Sequence, residues 1–206
     1  MKKEKKEEKE EKELTAEEIK ADITKFYNDL LSEEFEKETD RGAVILVASL
    51  LDIQLESMLR MFLVPDTSRT DDLFEGAMAP LSNFSSKILM AYRLGLISNK
   101  FARDLNLIRR IRNEFAHNIH GCSFDHSSVK SRVYELAKSS DIIGKNPEVR
   151  TNMPEGTRGD FLICVSWMLW SLTTETDYIT PLKECEEEFG YMDIEELDKE
   201  EIDHKR

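Results

Sequence analysis

The chain has 206 residues, 40% of them hydrophobic and 34% charged, which suits one domain with a proper core. Three cysteines (Cys122, Cys164, Cys185), far apart, odd in number and without a C-x-x-C pair, argue against a disulfide framework or a cysteine-rich zinc site and for a reducing compartment. The net charge of −13 disfavours loose nucleic-acid binding, yet seven bases against the single acid Asp104 lie between Lys87 and Arg112, enough for a local basic site.

Residues 1–14 alternate Lys and Glu with nothing apolar between Met1 and Leu14, so they read as a solvated extension and not as a signal peptide. A helical domain is expected over residues 15–182. Thr15 to Glu18 has the form of a capping box, and Ile19, Ile23, Phe26, Leu30 and Phe35 follow at helical spacing. Asp40 to Val64 is the most hydrophobic long segment, with Ala43–Ala48 apolar on all sides as a central helix requires. Its second half carries a polar stripe of Asp52, Glu56 and Arg60, and Pro65 ends it.

A short element is expected around Asp71–Met78, stopped by Pro80, and another from about Ser85 to Leu94, stopped by Gly95. Ser98 caps a helix from Asn99 to about Asn118, and Asp125 or Ser127 caps the next, which holds Val129, Val133 and Leu136. Asp141–Gly159, rich in Gly, Pro and Asn, reads as a long loop. The last core helix runs from Asp160 to about Tyr178; its Trp167, Met168 and Trp170 are core or dimer contacts. Residues 183–206 form an acidic tail, with eleven acids against four bases. The longest apolar run, Phe161–Leu172, is too short to span a bilayer, and the chain reads as cytoplasmic. Sustained two-residue alternation is absent, so the fold class is an all-α multi-helix bundle.

The most informative stretch is Arg109 to His117. Phe101, Leu105, Ile108, Ile111 and Phe115 form a buried stripe, with Arg112 at its edge and Arg109, Asn113 and His117 stacked on the neighbouring polar face. Arginine offers a planar fork of donors to a phosphate, and histidine moves protons at neutral pH. Arg109, Arg110 and Arg103 are the candidate phosphate or nucleic-acid contacts. The plainer alternative is structural: Arg112 pairs with Asp52 or Glu56 on the central helix, and His117 interacts with the end of its own helix. His117, His120, Cys122, Asp125 and His126 lie close together, but their spacing matches no helical ligand pair and Gly121 interrupts them, so no metal site is expected. Nucleotide-binding glycine motifs and a nucleophile elbow are absent, and no cofactor is expected.

Several motifs in order resemble the bacterial mannitol operon repressor family: Glu38-x-Asp40-Arg41-Gly42-Ala43, Gly76-x-x-Ala79-Pro80-Leu81-x-x-Phe84-Ser85-x-Lys87-Ile88, Ala91-Tyr92-x-Leu94-Gly95-Leu96-Ile97, and Ile108-Arg109-x-Ile111-Arg112-Asn113-x-Phe115-Ala116-His117, continued by Phe124-Asp125. The resemblance covers roughly residues 38–138. It implies an all-helical regulator of mannitol uptake and use, without a recognised DNA-reading motif, and so a protein partner that binds DNA. Asp40, Arg41, Asp52 and Glu56 are the structural polar partners expected within this stretch.

Arg112-Asn113-x-x-x-His117 is also similar to the Arg-x4–6-His signature of HEPN domains, helical bundles that often act as metal-independent ribonucleases. That likeness implies Arg112, Asn113 and His117 as catalytic residues acting on RNA, with Arg112 and His117 meeting across a homodimer. Two functions are therefore carried forward: a partner-dependent transcriptional regulator, and a HEPN-type endoribonuclease or its inactive scaffold descendant.

Overall fold

The computed structural model describes Phe35 and residues 38–118, 121–145 and 155–185. The charged extension, the helix expected from Ile19 (apart from Phe35), His120 and the acidic tail past residue 185 lie outside the described residues.

Among the described residues six helices follow in order: α1 (Asp40–Phe62), α2 (Phe84–Arg93), α3 (Asn99–His117), α4 (Ser127–Ser140), α5 (Ile142–Lys145) and α6 (Gly156–Asp177). The described residues contain no strand. Local chemistry sets most of the boundaries. The Thr39 and Ser98 hydroxyls accept from the backbone N–H of Gly42 and Phe101, each at 3.1 Å, and the Asn83 side-chain Oδ1 accepts from Ser86 N at 3.0 Å. Gly95 ends the α2 turn at φ +77°, a left-handed conformation that L side chains resist.

α1 packs on α6 and α3, α3 on α4, and α4 back on α6, closing a ring of four helices. α2 lies outside that ring, across α1 and α3. Each ring helix contributes an apolar stripe to one core: Val44, Leu51, Leu55 and Leu59 from α1; Leu105, Ile108, Ile111 and Phe115 from α3; Val129, Val133 and Leu136 from α4; Phe161 to Val165 from α6. Phe124, in the α3–α4 loop, packs between Phe115 and Phe161 in tilted ring contacts at centroid distances of 5.6 and 5.3 Å.

The segment enclosed on all sides is Phe161 to Ser166 of α6, buried without a break, whereas α1 leaves Ile45, Ile53 and Met61 exposed. By length and composition α1 could also cross a membrane, but it packs here against three other helices and its acids hold a buried lysine. Two expected boundaries move. The segment around Asp71–Met78 is a series of turns, held from outside by Arg60, which reaches Glu56 and Asp71 at 2.9 Å and lies over the Phe74 ring. The described ends of the expected Asp141–Gly159 loop are helical, in α5 and the first turn of α6. The residue preceding α4 is His126, and it makes no side-chain cap bond, so neither Asp125 nor Ser127 caps that helix.

A polar clasp joins three helix ends. Asp40 accepts from Arg158 Nη1 at 2.7 Å and from the backbone N–H of Phe124 at 3.1 Å. Arg158 also donates to the carbonyls of Phe35 and Glu38, and Arg41 donates to the Asn118 carbonyl at 2.6 Å. The starts of α1 and α6 and the end of α3 are thereby fixed together.

Candidate functional site

Because α2 sits across α1 and α3 instead of inside the ring, a cleft of about 350 Å³ opens where the three meet. α1 supplies Ala48, Ser49 and Asp52; the first turn of α2 and the residues before it supply Ser82 to Ser85; α3 supplies Arg109, Arg112 and Asn113. The wall is mostly polar.

The site's ion pairs differ from the expected ones. Asp52 and Glu56 are held not by Arg112 but by Lys87, whose ammonium stands 2.8 Å from Asp52 Oδ1 and 2.7 Å from Glu56 Oε2. Lys87 belongs to the buried face of α2 with Ile88 and Ala91, and it is 5% exposed. Burial by itself lowers a lysine pKa, but the bonds that Lys87 donates to Asp52 and Glu56 outweigh this and raise it above its ordinary value. Burial likewise pushes Glu56 up, and the bonds from Lys87 and Arg60 overcome it and hold the carboxyl low.

Arg112 correspondingly has no carboxylate partner among the described residues. It is exposed, lines the cleft, and donates from Nη1 to Asn113 Oδ1 at 3.3 Å. Arg109 is half-buried beside it, its Nε donating to Asn106 Oδ1 at 3.2 Å. His117 is exposed and is not part of the cleft wall. At about 100° per residue it lies about 140° round the helix from Arg112. Arg103 and Arg110 are exposed on the same side as His117. The polar face of α3 is therefore two faces: Arg109, Arg112 and Asn113 turned to α1 and α2, and Arg103, Arg110 and His117 turned outward.

Among the described residues no group of three or more His, Cys, Asp or Glu side chains is arranged to hold a metal ion. His126 Nδ1 lies 2.9 Å from Ser128 Oγ, and Asp125 pairs with Lys130 at 3.0 Å. Sequence reasoning missed Lys87, Arg158 and the buried Asp104, whose carboxyl accepts from Ser139 Oγ at 2.7 Å. A signal for Lys87 was present: it falls on the apolar face of α2, where a lysine needs acids opposite, and Asp52 and Glu56 are spaced one helical turn apart.

The architecture thus defines an all-helical domain with a polar cleft between its central helices and an outlying one. No known family model matches the sequence, and no curated protein matches it. Among solved structures, one chain of the X-ray structure of the MtlR–HPr complex from Escherichia coli superposes with a TM-score of 0.51 at 18% identity, over 72% of this chain and 99% of that chain. At that identity the likeness establishes a shared fold, and it is the all-helical fold that the mannitol repressor resemblance implied.

Proposed function

We infer that this chain is a cytoplasmic, mannitol-operon-repressor-like transcriptional regulator that works through protein contacts rather than a DNA-reading helix. The observation that carries this is the superposition of nearly the whole of a chain solved in a complex with HPr. The charge distribution agrees: the acidic total opposes backbone-driven DNA binding, and the arginines of α3 are divided between two faces.

HPr is accordingly the first partner to test. Titration calorimetry of the full chain with purified HPr should show saturable binding in the micromolar range. No heat at millimolar HPr would remove the support drawn from the complex. Operator DNA should bind weakly to the protein alone, with an affinity that falls steeply between 50 and 200 mM salt, roughly the range over which phosphate contacts are screened out. Tight, salt-resistant, sequence-selective binding would contradict the partner-dependent reading. A homodimer is part of the proposal, with the stacked, half-buried Trp167 and Trp170 at a centroid distance of 5.2 Å as its contact. Sedimentation of a Trp167→Ala, Trp170→Ala variant tests it, a persisting dimer counting against that surface.

The ribonuclease alternative keeps one observation in its favour, an exposed Arg112 that has no carboxylate partner among the described residues. It requires Arg112→Ala and His117→Ala each to abolish cleavage of single-stranded RNA while leaving thermal stability unchanged. A wild-type protein inert toward RNA ends that alternative.

A further inference from the structure

The chain carries 42 acidic and 29 basic side chains, and several cations that are at least partly withdrawn from solvent among the described residues are taken up by acids. Arg60 has Glu56, Asp71 and Glu75; Lys87 has Asp52 and Glu56; Arg132 has Glu114; Arg158 has Asp40. Arg109, also partly buried, has no such acid among the described residues, and neither has the exposed Arg112 beside it. They stand three residues apart on one side of α3, in one cleft, so two like charges are neighbours, which is unfavourable unless an anion lies between them.

Neither guanidinium forms an ion pair with a carboxylate among the described residues. Each is held by an asparagine instead. Asn106 is anchored through Nδ2 to the Ala102 carbonyl at 2.9 Å and accepts from Arg109 Nε, while Asn113 accepts from Arg112 Nη1. A neutral acceptor orients a guanidinium without cancelling its charge, and leaves most of its N–H groups unspent. The carboxylate in the wall, Asp52, is already compensated by Lys87 at 2.8 Å.

The first turn of α2 forms another wall of the same cleft. Asn83 Oδ1 is used by Ser86 N and by Ser85 Oγ at 2.7 Å, but the backbone N–H groups of Phe84 and Ser85 precede any helical acceptor and have none among the described residues. Two unneutralised guanidiniums and a helix N-terminus thus bound a single small concavity. A phosphate dianion presents three terminal oxygens in three directions, one toward each donor group, and carries more charge to set against two guanidiniums than a carboxylate does. The remaining wall is hydroxylic and acidic. Ser49 spends its proton on the Ile45 carbonyl at 2.9 Å and so offers lone pairs, and Ser82 and Asp52 can exchange hydrogen bonds with hydroxyl groups.

We propose that the cleft binds a small phosphate monoester with hydroxyl groups on its organic part, the phosphate lying between Arg109, Arg112 and the first turn of α2 and the hydroxyls facing Ser49, Ser82 and Asp52. A volume of about 350 Å³ is the size of a small-metabolite pocket and not of a polynucleotide groove. The site lies within one chain and does not depend on the partner contact proposed above.

The test is titration calorimetry of the full chain at low ionic strength with glycerol 3-phosphate, inorganic phosphate, glycerol and a short oligouridylate as probes. Glycerol 3-phosphate should bind saturably and at least about tenfold more tightly than inorganic phosphate, with no heat from glycerol. Arg109→Gln and Arg112→Gln should each weaken it about tenfold or more, and Arg103→Gln and Arg110→Gln, on the outward face, by less than about twofold. Ser49→Ala should weaken glycerol 3-phosphate but not inorganic phosphate. Unfolding midpoints of the variants, read in parallel, separate lost binding from lost folding. The proposal is overturned if neither phosphate saturates, if all four arginine variants lose equally (a diffuse field and not a site), if glycerol adds nothing to phosphate affinity, or if only the oligouridylate binds through Arg109 and Arg112.

Discussion

Replacing Lys87 by Met keeps most of the aliphatic stem and removes the ammonium that joins α2 to α1. Asp52 and Glu56, one turn apart on α1, then lose contacts of 2.8 and 2.7 Å, and Asp52 loses its cation. Removing one partner of a fully buried pair costs about 3–5 kcal/mol, because the other charge is stranded. Here the carboxylates keep 30% and 29% of their side-chain surface in water. Solvent therefore recovers part of the loss, and about 2–3 kcal/mol is expected. For a chain of this size that lowers Tm by about 4–12 °C. Guanidinium unfolding followed by far-UV circular dichroism measures it directly. The pH dependence gives a second readout with a definite sign. Glu56 is held below its ordinary 4.5, so its contribution is present above that pH and lost as pH falls through the lowered value. Lys87 is raised above 10.5, so its contribution is complete below that pH and lost as pH rises through the raised value. Lys87→Met should flatten both limbs of the stability profile. Arg112→Met, removing an exposed side chain, should cost less than about 0.5 kcal/mol. Equal losses at Lys87 and Arg112, or a Lys87→Met protein as stable as wild type, would refute the assignment of the buried cation.

Asp104→Asn should stabilise the protein at pH 7 by about 1 kcal/mol, since burial raises this carboxyl against the Ser139 bond and its ionisation opposes folding. The gain should fade as pH drops toward the ordinary value of 3.8, below which the buried group is already neutral; a destabilised variant at pH 7 contradicts this. Gly95→Ala should cost about 1–2 kcal/mol, because φ +77° forces a side chain into the left-handed region; an unchanged urea midpoint would mean that the turn relaxes. In the clasp, Arg158→Met and Asp40→Asn should couple in a double-mutant cycle by about 1 kcal/mol, the 2.7 Å pair being partly buried; simple additivity would show that they act independently.

Where local chemistry decides, the fold was legible in the sequence. Ser98 and Gly95 mark boundaries through groups that act within four residues, and the stripe Leu105, Ile108, Ile111, Phe115 follows from helical period alone; all four are fully buried. Tertiary choices were not legible. The run Ala43–Ala48 reads as the most enclosed segment, yet Ile45 faces out, because α2 lies across α1 instead of covering every side of it. Phe161–Ser166 is enclosed instead, and its unbroken apolarity carries no period to say what surrounds it. Arg112 and Lys87 were exchanged for the same reason. Both are basic and within reach of the Asp52–Glu56 stripe, and only the placement of α2 across α1 and α3 decides that the lysine enters and the arginine remains in the cleft.

That exchange separates two readings that the sequence merges. Arg112 and His117 share a motif, but residues five apart on a straight helix diverge by about 140°, whereas residues three or four apart stay together. Arg109 and Arg112 can therefore address one phosphate from a single chain, and Arg112 and His117 cannot converge on one without a second copy. The two readings make opposite demands on concentration. A ligand site in the cleft binds with the same affinity whether the protein is dilute or concentrated. A nuclease built from Arg112 of one protomer and His117 of its partner gains specific activity as dimer forms and loses it on dilution. Measuring phosphate affinity and RNA cleavage across the same dilution series distinguishes them, since only cleavage should follow the monomer–dimer equilibrium. A phosphate affinity that tracks dimerisation would place the anion at a subunit boundary and remove it from the cleft between α1, α2 and α3.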